Sequence, residues 1–155
     1  SFENRIRFLL EITAAVRSIW PEELPLFVRI SATDWVENGW TEQDSVKLAT
    51  VLKTKGVDLI DCSTGGNVTG VRIPLKPMYQ AGFAETIRKE TGILTGAVGL
   101  ITTAGEAESL IAEGKADAVF MARELLRDPY FPHRAADELH VGAQWPLPYE
   151  RARRG

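Results

Sequence analysis

Apolar residues recur at helical spacing close to the start of the chain. Phe8, Leu9, Ile12, Ala15, Val16 and Ile19 line one side of a helix that Trp20-Pro21 closes, because the residue before proline avoids the α region. The pattern then changes. Leu24 to Ser31 is a compact apolar run suited to a strand buried on both faces, with Pro25 marking its beginning. Thr41 followed by Asp44 signals a helix start, Val46, Leu48, Ala49, Val51 and Leu52 supply its apolar positions, and Gly56 ends it.

The alternation continues to the last third of the sequence. Val57 to Ser63 predicts a second strand, and the polar, glycine-containing stretch from Thr64 to Met78 predicts a loop longer than ordinary strand-to-helix connections. Ala84, Phe83 and Ile87 mark a helix that Gly92 terminates. Leu94 to Gly99 reads as a third strand, Thr103 with Glu106 as the capping box of a helix stopped by Gly114, and Ala118 to Arg123 as a fourth strand. Asp128-Pro129 starts a last helix through Ala135 and Ala136. The order is one helix followed by four strand-helix units at intervals of about 30 residues, an α/β fold with a parallel sheet. A complete (β/α)8 barrel of about 250 residues has eight such units. The expectation is therefore half a TIM barrel spanning residues 1–155, with 141–155 as an extended tail that reaches a neighbouring subunit.

Composition narrows the partners. With 155 residues, 45% hydrophobic and 25% charged, the chain is long enough for one core. A net charge of -3 argues against a general nucleic-acid binder, which carries excess Lys and Arg on one face. Cys62 is the single cysteine, so an intrachain disulfide and a multi-cysteine zinc cluster are excluded and a reducing compartment, the cytoplasm, is expected. No run approaches the roughly 20 apolar residues of a membrane span. Ser1 rather than Met opens the sequence, which is the start expected of a processed chain, a designed piece or a fragment.

The chemistry gathers at strand ends. Gly96 to Gly99 offers small residues whose backbone N–H groups an anion can approach, and Arg123 delivers a guanidinium just after the fourth strand's apolar run. Arg29 lies near the end of the first strand, where parallel α/β folds present side chains to a ligand; a salt-bridged surface arginine is the competing reading. Arg127 and Asp128 make the neighbouring loop polar or form ordinary surface pairs. Gly65 to Gly70 lacks the Lys and Ser/Thr of a triphosphate loop, and Asn67-Val68-Thr69 is read as a chance glycosylation match. His133 and His140 lack metal partners and are expected at the surface, so no metal site is assigned, and Cys62 is expected to behave as a small hydrophobe.

At these residues the chain resembles the C-terminal half of the Old Yellow Enzyme family, in particular the bacterial ene-reductases with an arginine near the C-terminus. The resemblance spans nearly the whole sequence. It rests on Ser1-Phe2-Glu3-Asn4-Arg5, Leu26 to Ala32, Val57 to Ser63, Thr95 to Gly99, Arg123 to Pro129 and Tyr149-Glu150-Arg151, in that order. It implies an FMN-dependent barrel in which NAD(P)H reduces the flavin and hydride then passes to an activated alkene such as an enone. By carry-over Arg29 lies beside the pyrimidine edge of the flavin ring, and Val98 and Gly99 with Ala122 and Arg123 hold the phosphate. Ala122 stands where the family commonly has glycine, adding a methyl beside the phosphate. Arg151 is the residue that reaches a neighbouring subunit's active site, in a tail where Arg153 and Arg154 crowd the same end.

The resemblance also implies an incomplete machine. The family's substrate-anchoring His pair, its tyrosine proton donor and its N-terminal flavin contacts belong to the other half of the barrel. No catalytic residue is therefore assigned to this chain, and activity is expected to require the N-terminal half. The partner expected is that half or a second copy, since four parallel strands alone expose one sheet face and two edges. A non-catalytic, self-assembling half-barrel that binds FMN or phosphate is the alternative, and a bare folding fragment the third.

Overall fold

A computed structural model describes residues 1–152. Arg153 and Arg154 lie outside the described residues. A helix, α1 (Phe2–Arg17), precedes four strands, β1 (Phe27–Ser31), β2 (Leu59–Ser63), β3 (Leu94–Val98) and β4 (Ala118–Phe120). The crossovers are α2 (Glu42–Thr54), α3 (Ala81–Thr91) and α4 (Ala104–Ala112); α5 (Arg123–Arg127), α6 (Phe131–Glu138) and a 3-10 turn (Leu147–Ala152) follow β4. All strand pairs are parallel and the sheet order is β1-β2-β3-β4. Four consecutive βα units in sequential order are half of a (β/α)8 barrel.

Local chemistry explains the helix boundaries. Thr41 accepts from the Asp44 N–H at 3.1 Å while Asp44 accepts from the Thr41 N–H at 3.2 Å, and Thr103 with Glu106 makes the same reciprocal pair ahead of α4. Gly92 ends α3 as its cap. The four strand-helix units stand where the hydrophobic pattern predicts them, with shorter strands. β4 stops at Phe120, so Arg123 does not end a strand but opens α5. The last helix is two: Asp128 accepts from the Tyr130 N–H at 3.0 Å in a tight turn, and α6 begins only at Phe131.

Strand alternation separates two sheet faces. Val28 and Ile30 of β1, Ile60 and Cys62 of β2 and Thr95 and Ala97 of β3 share one face by register and are buried. That face meets the helices, with Ala49 and Leu52 of α2, Ala84 and Ile87 of α3 and Leu110 of α4 in the same core. The other face carries Phe27, Arg29 and Ser31 of β1, Leu59, Asp61 and Ser63 of β2, Leu94, Gly96 and Val98 of β3 and Phe120 of β4. It is the lining of a barrel interior that a single sheet leaves open. Phe27 and Leu94 are accordingly 51% and 50% exposed. α1 departs from its predicted stripe: Ile6 and Thr13 are buried, while Phe8 and Ile19 are 72% and 84% exposed. Its apolar side is wider than the core this chain provides.

Candidate functional site at the strand ends

The C-terminal ends of β3 and β4 enclose a cavity of about 300 Å³. Val98, Gly99, Ala122 and Arg123 all line it, together with Gln80, Tyr79, Phe120, Glu124 and Arg127. Two strand ends separated by a whole helix in sequence thus meet because β3 and β4 are adjacent parallel strands.

Glycine at 99 has a geometric reason. Its φ is +116°, which L side chains rarely adopt, and a Cβ there would lie 2.6 Å from the Gln80 amide nitrogen and 2.9 Å from the Tyr79 ring. The backbone stays open on the cavity side as a result. Gly96, deeper in β3, is required by contact instead: a Cβ would meet the Phe120 ring at 2.1 Å. The Phe120 side chain lies across the bare glycine and floors the cavity's inner side.

The charges around the cavity are unequally engaged. Arg127 pairs with Glu124 at 3.0 Å, and Asp128 with Arg134, so the polar loop does contain the ordinary surface pairs that its composition allowed. Arg123 makes no ion pair among the described residues and is exposed. A cation with open N–H donors beside a closely approachable backbone is an arrangement suited to a phosphate. Ala122 is exposed and lines the cavity.

Arg29 is not part of this cavity. It lines a second one of about 380 Å³ at the end of β1, with Arg5, Ser31, Asp34, Trp40 and Asn67. Its guanidinium donates to Asp61 on β2 at 2.6 Å, so the salt-bridge reading holds without removing the residue from the open face, where its side chain remains 58% exposed. Asp61 is the residue that sequence reasoning missed. It is 6% exposed, accepts Arg29 through Oδ2 and leaves Oδ1 buried without a partner among the described residues. Its signal in the sequence is a carboxylate inside an otherwise apolar strand.

Of the remaining predicted positions, Asn67 lines the second cavity, and Arg151, His133, His140 and Cys62 line neither of the two. Arg151 lies exposed in the 3-10 turn Leu147–Ala152. His133 is not a free surface residue: its ring stacks on Trp145 with centroids 4.3 Å apart, and its Nδ1 is buried. His140 is exposed. Asn67 donates to Asp34 at 2.9 Å. Burial, with the neighbouring Asp61 charge adding to it, pushes the Cys62 thiol up to about 12. No helix among the described residues is long and apolar enough to cross a membrane.

Comparison with known proteins places this architecture. The chain is 52% identical over 149 residues to an NADPH dehydrogenase of Geobacillus thermodenitrificans, an alignment covering 96% of this chain and 43% of that protein. It is 49% identical over 150 residues to the NADPH dehydrogenase of Bacillus pumilus, covering 97% of this chain and 44% of that one. It therefore spans less than half the length of these curated relatives. Among solved structures, a 2-naphthoyl-CoA reductase in complex with 2-naphthoyl-CoA superposes with a TM-score of 0.79 at 26% identity, over 89% of this chain and 22% of that one. The sequence profile of one family matches residues 1–141. The chain belongs to the NADH:flavin oxidoreductase / NADH oxidase family.

Proposed function

We propose that this chain is the flavin-binding, C-terminal half of an FMN-dependent NAD(P)H oxidoreductase that reduces activated alkenes, and that it is inactive without the N-terminal half-barrel. The observation that carries the reading is the meeting of Val98, Gly99, Ala122 and Arg123 around one cavity, with Arg29 on the same sheet. β1 and β3 are two ladder spacings apart, roughly 10 Å. A ligand that engages both ends must span that distance.

Bound FMN supplies hydride transfer between the nicotinamide and the alkene. Everything else is work for the protein. Arg123 and the Gly99 backbone would hold the phosphate, in a cavity that Phe120 also lines. Arg29, whose orientation Asp61 fixes from the neighbouring strand, would present positive charge to stabilise the reduced flavin. The His pair and the tyrosine proton donor would come from an N-terminal half-barrel, and Arg151 would reach an adjacent subunit. The setting we propose is the reducing cytoplasm, with Cys62 as the single cysteine.

The exposed apolar residues of the inner face, Phe27 and Leu94, favour a second reading for the chain alone: a non-catalytic half-barrel that associates with its own copy. One experiment separates them. Titrating the purified chain with FMN while following flavin fluorescence and particle mass, then adding NADPH and an enone, should show binding without turnover. Turnover by the chain alone overturns the divided-site reading, and failure to bind FMN or a partner leaves a bare folding fragment. Coexpression with an N-terminal half-barrel should restore turnover if the first reading is right.

A further inference from the structure

Gln80 is the most deeply buried polar residue at the mouth of the β3/β4 cavity, 3% exposed at the N-terminal boundary of α3. It makes no side-chain cap for that helix. Its amide bridges two strand ends instead. Oε1 accepts from the Thr64 hydroxyl at 2.8 Å and from Ser63 at 3.5 Å, both at the end of β2, while Nε2 donates to the Val98 carbonyl at 3.1 Å. Thr64 is itself buried, so the acceptor side of the amide is anchored.

A trans peptide is planar, with its carbonyl and N–H pointing in opposite directions. Turning the Val98 carbonyl toward Gln80, on the β2 side, turns the Gly99 N–H toward β4 and the cavity. That N–H donates to no backbone acceptor in the turns and loops among the described residues. The contact is also tight: a Cβ on residue 99 would strike the Gln80 amide nitrogen, so the bare glycine is what lets the amide approach.

We infer that Gln80 is a positioning residue for an anionic ligand, locking the Val98–Gly99 peptide so that the Gly99 N–H is aimed at a phosphate held between the ends of β3 and β4. The inference rests on the flavin-phosphate reading of that cavity. In this role Gln80 acts through the Val98–Gly99 peptide rather than as a ligand of the phosphate. It lowers the cost of binding by fixing the donor beforehand, and its effect is confined to the phosphate end of the ligand.

Riboflavin, which lacks the phosphate, provides the control. Dissociation constants for FMN and riboflavin are measured by flavin fluorescence for the chain and for Gln80→Leu, which retains bulk but loses the donor. The chain should prefer FMN, and Q80L should reduce that preference by about tenfold, the worth of one hydrogen bond to a charged group, with riboflavin affinity unchanged. An equal loss for both flavins shows a merely structural role and overturns the inference, as does a preference that survives in Q80L. A parent chain that binds FMN no better than riboflavin, or binds neither, overturns the phosphate reading itself. Q80M, neutral and closer in shape to glutamine, gives the same test should Q80L fail to fold.

Discussion

At the scale of single residues, burial and pairing decide what each polar group can do. Cys62 sits with zero exposure in β2 and its thiol is pushed up to about 12, first by burial and then by the Asp61 charge. It is therefore a core residue and not a nucleophile. A thiol-specific reagent at pH 8 should leave the folded chain unmodified and label it stoichiometrically in denaturant. Asp117 shows the opposite balance. Burial opposes its ionisation, but hydrogen bonds from Arg88 and the Thr95 N–H, together with the Arg88 charge, hold it below the usual carboxylate range. A lowered folded pKa means that its stabilising effect is present above the unfolded value, near 3.9, and is lost as pH falls through the folded one. Asp117→Asn should melt a few degrees below the parent at pH 7, and the gap should close as the pH drops below about 4.

Elements are held by a mixture of local and distant causes. The capping boxes at Thr41 and Thr103 and the Gly92 terminus are readable in the sequence because their partners lie within a few residues. The pairing of Gly96 with Phe120 is not, because nothing in the chain between them says that an aromatic ring will lie across that glycine. Gly96→Ala must push the ring aside, and should cost about 1–3 kcal/mol in denaturant unfolding, typical of overpacking. It should also disturb FMN affinity, since Phe120 lines the cavity. A variant as stable as the parent, with unchanged affinity, would mean the ring relocates freely.

The whole molecule is a sheet with one finished face and one unfinished. The helix side carries the continuous core, whereas the inner side leaves Phe27 and Leu94 half exposed, and among the described residues both outer strands, β1 and β4, keep an unpaired edge. Apolar surface and open edges favour association. Light scattering should find a dimer or larger species that dissociates with dilution, and replacing Phe27 and Leu94 together by serine should shift it toward monomer. A strictly monomeric parent at high concentration contradicts this.

Periodicity, caps and glycine stops determined from the sequence alone that four βα units follow one helix, because helix and strand periods are local properties of side-chain direction. Motifs that recur in order likewise identified the family. What required the tertiary structure was proximity. Val98 and Arg123 are separated by a helix yet share a cavity, Arg29 is joined to Asp61, and Gln80 reaches Val98 from the start of another helix. The same dependence applies to α1: the helix forms as its spacing predicts, but burial depends on what packs against it, and Phe8 and Ile19 stay 72% and 84% exposed. Amphipathic patterns are written along the backbone, whereas contacts across a parallel sheet depend on strand order and register, which no single segment encodes.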